Sequence, residues 1–246
     1  MINATIEVRM TSSRLPGKVM MTAGELSMLE ILVRRLSSSN YIENIIVATT
    51  INEQDNPIVE FCEANGILFY RGSEHNVLLR VSEAAEMYNT DVLVQITGDC
   101  PLLDYKLVDE VISTFLAKFP ETRFVSNTGP DISMPWGFDV QVYKAKELRD
   151  ILADSPSEKD MENVSQRFYL SENSKIYNPT IIKYKGIRNR PELRVTLDYL
   201  EDYHLIKEIV EDFGVDKLNE YGIEDIIEWL DRNPDKRDAV LKRHNE

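Results

Sequence analysis

Apolar and polar positions alternate along the first half of the chain with two different periods. Ile2–Val8 reads as a strand, and the β-branched run Asn44–Thr49 as a buried one. Ile67–Tyr70 and Val92–Thr97 read as two more. Between these runs the spacing turns helical. Met28, Leu29, Leu32, Val33 and Leu36 make one stripe within Ser27–Ser38. Asn56–Asn65 reads as a helix, with Pro57 in its first turn and Gly66 at its end. Val77–Tyr88 follows, and then Tyr105–Lys118, capped by Asp104. Strand and helix in strict alternation predict an α/β fold, a mainly parallel central sheet with helices on both faces. Ligands of such sheets bind beyond the carboxyl ends of the strands.

After residue 120 the pattern loosens. Arg123–Ser126, Phe138–Tyr143, Thr180–Lys183 and Leu193–Leu197 read as strands, with a helix near Lys159–Ser171. Asn127–Trp136, rich in Gly, Pro and Asp, reads as a long loop over the site. Tyr199–Phe213, Ile223–Asn233 and a final exposed helix to about His244 read as helical. The simplest organisation is a single domain over 1–246, with a less regular insertion at about 120–192 and a helical tail at about 213–246.

Composition narrows the function. The chain has 246 residues, 43% of them hydrophobic, enough for a sizeable core. It carries 42 acidic and 28 basic residues and a formal charge of −14. That balance argues against nucleic acid and anionic membrane as partners, which need a broad positive field. A small nucleotide needs only a few local cations. Cys62 and Cys100 form no disulfide framework, and His75, His204 and His244 show no transition-metal spacing. No leader or membrane-spanning run is legible, so a cytoplasmic, reduced protein is expected. A homodimer is left open.

Against this acidic background, Arg9-Met10-Thr11-Ser12-Ser13-Arg14-Leu15-Pro16-Gly17-Lys18 places three cations directly after the first strand. Loop N–H groups can cradle phosphate oxygens while Arg and Lys supply charge-assisted bonds. The loop reads as a triphosphate site or as a solvated basic turn. Thr97-Gly98-Asp99-Cys100-Pro101 follows another strand, so Asp99 could hold a magnesium ion or close an Asx turn. Asp198 ends the run Arg194–Leu197 and is a second metal candidate, or a cap. Asp139 could contact substrate hydroxyls or the metal. Arg80, at the start of a helix, is open between a base contact and a surface salt bridge. Trp136 and Tyr143 read as packing residues rather than sugar platforms.

A basic loop with two strand-end aspartates is what metal-assisted nucleotidyl transfer requires. The loop resembles the signature of the sugar-activating cytidylyltransferases, which couple CTP to 3-deoxy-manno-octulosonate and sialic acid, and most of all the spore-coat polysaccharide branch. The likeness runs in order through Ile46–Thr50, Arg71–Glu74, Ile96–Leu102, Gly137–Val140 and Arg194–Asp198, and covers roughly residues 2–212. It implies a nucleotide-diphospho-sugar transferase-like fold and a Mg2+-dependent nucleotidyltransferase making a nucleotide sugar for polysaccharide biosynthesis. CTP and a sugar or sugar phosphate would be the partners. By motif, Arg14 and Lys18 would hold the triphosphate, with Arg9, Ser12, Ser13, Thr97 and Gly98 around the nucleotide. Arg80 would help place the base, Asp99 and Asp198 would ligate Mg2+, and Asp139 would face the acceptor. Lys18, Arg14 and Asp99 would be the catalytic set.

The chain departs from the family pattern at Glu7, where glutamine or proline is usual, at Thr11 for glycine, and at Gln141 for glutamate. A carboxylate at position 7 is tolerable near a triphosphate only if paired or turned away. Two other readings compete. A nucleotide-sugar-dependent glycosyltransferase would carry a DxD motif, where this chain has Asp99-Cys100-Pro101-Leu102. A non-catalytic nucleotide- or sugar-binding homologue would not need the retained Arg14, Lys18, Asp99 and Asp198.

Overall fold

The structure, a computed structural model, describes residues 1–129 and 132–245. Its strands are β1 (Ile2–Glu7), β2 (Thr22–Ala23), β3 (Leu26–Ser27), β4 (Asn44–Thr50), β5 (Leu68–Gly72), β6 (Val92–Thr97), β7 (Phe124–Ser126), β8 (Gln141–Lys144) and β9 (Thr180–Ile181). Its helices are α1 (Met28–Leu36), α2 (Asn56–Asn65), α3 (Val77–Met87), α4 (Tyr105–Lys118), α5 (Lys146–Ala153), α6 (Glu158–Glu162), α7 (Gln166–Tyr169), α8 (Ser174–Tyr177), α9 (Leu200–Phe213), α10 (Ile223–Arg232) and α11 (Pro234–Asn245).

Seven strands form one sheet in the order β5-β4-β1-β6-β8-β7-β9. β1 lies between β4 and β6 and is parallel to both. β8 alone runs against the others, pairing antiparallel with β6 and β7. The sheet is therefore mainly parallel, as the alternation of elements predicts.

Alternate residues of each strand feed opposite layers, as a pleated strand requires. Val47, Val94, Val125 and Val142 point toward the larger core, which holds the apolar faces of α1 and α4. Their neighbours Leu93, Phe124 and Tyr143 point the other way, toward Leu78 and Val81 of α3, Leu148 of α5 and Phe168 of α7. Helices thus cover both faces. With β1 and β6 adjacent and parallel, the loops after Glu7 and Thr97 emerge together at one edge.

Several elements depart from the sequence expectation. α5 has no legible start, because Ala145 precedes it and offers no side-chain cap. The expected helix over 159–171 is split: Asn163 turns extended and closes α6 by donating to Lys159 O at 2.8 Å. Leu193–Leu197 is extended but is not a ladder strand. Its bonds go to loops instead, Val195 N to Trp136 O at 2.8 Å and Leu197 N to Asp99 O at 2.8 Å, with a single bridge between Trp136 and Arg194. Of the expected 127–136 loop, Pro130 and Asp131 lie outside the described residues. Tyr143 is buried, as expected of a packing residue, whereas Trp136 is 43% exposed. Among the described residues no helix is long and apolar enough to cross a membrane.

The C-terminal segment is not a loose tail. Arg35 of α1 is buried and donates to Leu103 O at 3.1 Å, to Leu218 O and to Tyr221 O at 3.2 Å. Its guanidinium also lies 4.6 Å from the centre of the Tyr221 ring. One cation therefore satisfies carbonyls from the 103 and 218–221 turns and docks the helices after α9. Arg35→Met fills similar space but leaves these carbonyls without donors. Denaturant unfolding should show a loss of about 3 kcal/mol; an unchanged midpoint would mean the docking rests on apolar packing alone.

Candidate active site

The loop after β1 does not run straight into a helix. It closes at Gly17, whose φ of 73° is left-handed and whose N–H reaches Met10 O at 2.8 Å. A short 3-10 turn, Lys18–Met20, follows. The loop begins on a second anchor, because Met10 N donates to Asp55 Oδ1 at 2.6 Å. Asp55 is buried and also accepts from Thr50 at the end of β4. Glu74 holds the same loop from the side, at 2.7 Å from Thr11 Oγ1 and 3.3 Å from Arg9 Nη1.

The far end of the loop converges on Asp198. That carboxylate is buried, and Arg14 reaches its Oδ1 at 2.7 Å and Lys18 at 3.1 Å. Arg194 binds its Oδ2. Lys18 Nζ also lies 3.8 Å from Asp99 Oδ2 and 2.6 Å from Leu197 O. Asp99 and Asp198, from separate segments and the latter 180 residues from Lys18, thus share one ammonium group. Asp198 is fixed in turn by Asp202, which accepts from its backbone N–H at 2.9 Å and from that of Tyr199 at 2.8 Å.

These groups line a cleft of about 740 Å³. It includes every residue expected around the nucleotide (Arg9, Ser12, Ser13, Arg14, Lys18, Arg80, Thr97 and Gly98), together with Asp99 and Asp198. Asp139 is not among its lining residues; it sits beside Asp99, with Oδ1 buried and unpartnered. Gly98 permits the floor of the cleft: a Cβ there would lie 2.2 Å from Val8 Cγ1 and 3.0 Å from Glu7 O. The sequence patterns do not single out Asp55, nor Glu158 and Glu162 of α6, which also line the cleft. Glu74 and Arg194 fall within the motifs, but no spacing reveals that they brace the loop and Asp198.

Arg80 is neither at the surface nor in a salt bridge of ordinary length. It is buried, donates to Ser73 O at 2.5 Å, and leaves Nε without a partner. Its charge faces Glu7, which settles how an acid is accommodated at that position. Burial pushes the Glu7 carboxyl up to about 7, against the opposing pull of Arg80 and a Gln95 hydrogen bond. Burial likewise raises Asp139 to about 7, with the Asp99 charge adding to the shift.

The donor set suits a hard divalent cation. Magnesium takes one or two carboxylates and completes its shell with phosphate oxygens and water. Among the described residues no three His, Cys, Asp or Glu are grouped as a self-sufficient metal cage. Asp99 and Asp198 are two carboxylates on a cleft lined by cations, joined through Lys18, and Asp139, with its orphaned Oδ1, is near Asp99. The residues fit the ion.

Comparison with known proteins identifies the family and the fold. The cytidylyltransferase family profile matches residues 4–225. The spore coat polysaccharide biosynthesis protein SpsF of Bacillus subtilis is 30% identical over 234 residues, covering 94% of each chain. A cytidylyltransferase structure from Leptospira borgpetersenii superposes with a TM-score of 0.87 at 29% identity, covering 96% of both chains. A CMP:2-keto-3-deoxy-manno-octonic acid synthetase complexed with CTP shares the fold at a TM-score of 0.64 and 13% identity, covering 86% of this chain and 98% of that one. The chain belongs to the cytidylyltransferase family and has the nucleotide-diphospho-sugar transferase fold.

The Glu7 environment has a consequence for stability. A carboxyl raised from 4.5 to about 7 on folding keeps its proton longer when folded than when unfolded. Its unfavourable contribution therefore grows as pH rises through that window and is absent below it. Glu7→Gln should raise the thermal midpoint relative to wild type by a few degrees at pH 8, and the advantage should shrink steadily toward pH 5. A difference independent of pH would show that Glu7 is ordinary in both states.

Proposed function

We propose that the cleft binds CTP with Mg2+ and transfers its cytidylyl group to a sugar or sugar phosphate, in the service of surface polysaccharide synthesis. The observation that carries this reading is the convergence of Arg14 and Lys18 on the pair Asp99 and Asp198 at one end of the cleft. The name of the Bacillus subtilis relative supports the polysaccharide setting. The CTP complex among the structural neighbours supports the nucleotide.

On this reading Arg14 and Lys18 turn toward the β- and γ-phosphates. Arg14 is half-exposed already and needs only to exchange its carboxylate partner for a phosphate. Asp99 and Asp198 would hold the magnesium ion, which neutralises charge gathering around the α-phosphate in the transition state. An acceptor oxygen forms a bond to the α-phosphorus, the bond to the bridging oxygen breaks, and pyrophosphate leaves. Arg80 lines the same cleft and would help place the base. Arg194 holds Asp198 through the exchange, and Asp139, off the cleft lining, would act on the acceptor side through its neighbour Asp99.

The direct test is pyrophosphate release from CTP with Mg2+ and a panel of sugars and sugar phosphates. CTP should also raise the thermal midpoint more than ATP, GTP or UTP at equal concentration. A purine preference would overturn the cytidylyl reading and leave the fold untouched. Lys18→Ala should lower turnover by about 10²–10³, the usual cost of losing one such electrostatic contact. Asp99→Asn should abolish most magnesium-dependent turnover while keeping the unliganded protein as stable as wild type. Asp198→Asn should lose turnover and stability together, because it leaves Arg14, Lys18 and Arg194 without their shared counter-charge. Near-normal turnover in Lys18→Ala would remove the loop from the chemistry.

A further inference from the structure

The family match ends at residue 225, yet the last turn of α11, beyond it, reaches the first turn of α9, just after Asp198. The His244 ring nitrogen Nε2 lies 3.0 Å from Asp202 Oδ1 and 3.2 Å from Oδ2. Asp202 is buried and is the group whose carboxylate fixes the Asp198 and Tyr199 backbone N–H groups. The His244 ring packs edge-on to Tyr199, with centroids 4.9 Å apart. Arg243 lies 4.6 Å from the centre of that same ring, and Arg14 of the basic loop lies 5.3 Å from it. Val240 anchors the helix in the core. A chain of contacts therefore runs from His244 through Asp202 to Asp198, and a second runs from His244 through Tyr199 to Arg14.

We propose that His244 is a positioning residue for the triphosphate grip, acting through Asp202 and Tyr199 to hold Asp198 and Arg14 in register. The physical reason lies in Asp202. Its Oδ2 already accepts two backbone bonds, and its Oδ1 would otherwise face the α9–α11 contact without a donor. A buried carboxylate with an unsatisfied oxygen can reorient to find a partner, and any rotation of Asp202 releases the backbone on which Asp198 is mounted. An error of about 1 Å in such a group is enough to matter in a phosphate site. The nucleoside end of the cleft, at Arg80 and Gly98, is held by α3 and β6 and does not depend on α11. His244 should consequently matter for the β- and γ-phosphates and not for the nucleoside.

This inference rests on the triphosphate reading of the basic loop, and comparison of CTP with CMP separates the two. Affinities for both nucleotides, with Mg2+, would be measured by calorimetric titration for wild type, His244→Ala and His244→Gln, alongside each protein's thermal midpoint. Removing one hydrogen bond to a charged group should weaken CTP binding by roughly tenfold in His244→Ala, leave CMP within about twofold, and recover most of the loss in His244→Gln, which keeps a donor. Equal CTP affinity in His244→Ala and wild type would overturn the proposal. So would parallel loss of CTP and CMP, which is the mark of a merely destabilised fold. A wild type that holds CTP no more tightly than CMP would contradict the loop reading itself and take this inference with it.

Discussion

The carboxylate of Asp198 is the constraint around which the cleft is built. It is almost without solvent, and a bare carboxylate there would be costly, so it must be met by charge. Arg14 and Lys18 from the loop after β1, and Arg194 from the same segment, meet it. That requirement pins a ten-residue basic loop across the end of the sheet, although its sequence has no regular secondary structure until Lys18. Lys18 then ties the cluster to Asp99 after β6. The result is an acidic protein with a small region where cations are concentrated and already directed. A phosphate ligand can compete for those cations without the protein having to assemble them.

The strand–helix alternation of the first half was legible because its two periods are clean and its boundaries are marked. Asp104 caps α4 by accepting from Lys106 N at 2.9 Å, and Gly66 ends α2 in a left-handed conformation. The candidate site was legible because its cations and aspartates sit at strand ends, where a mainly parallel sheet gathers them. What was not legible follows from tertiary contact. Leu193–Leu197 has the residues of a strand, but its partners are two loops, and no periodicity encodes that. Asp55 is one acid in the polar run Asn52-Glu53-Gln54-Asp55, and only its burial against Thr50 and Met10 distinguishes it. The last helix reads as a solvated one because its few inward residues, Val240 and His244, meet surfaces far away in sequence.

Glu7 illustrates how a departure from a family pattern is absorbed. An acid at the end of β1 faces Arg80, a buried arginine of helix α3. Each reduces the cost of the other, and each keeps one polar atom unpaired, Oε1 on Glu7 and Nε on Arg80. The cleft thus has a cationic end at Arg14 and Lys18 and a balanced donor–acceptor corner at Glu7 and Arg80. That division suits a ligand with a charged tail and a neutral, hydrogen-bonding head.

On the proposed reading, the cations that hold Asp198 in the free protein are those that would hold the triphosphate. A crystal structure with CTP and Mg2+ tests this most directly. Arg14 and Lys18 should then bond to phosphate oxygens, the Arg14–Asp198 pair should be broken, and Asp99 and Asp198 should both face the metal. A complex in which Arg14 and Lys18 keep Asp198 as their partner while the triphosphate lies elsewhere in the cleft would contradict it.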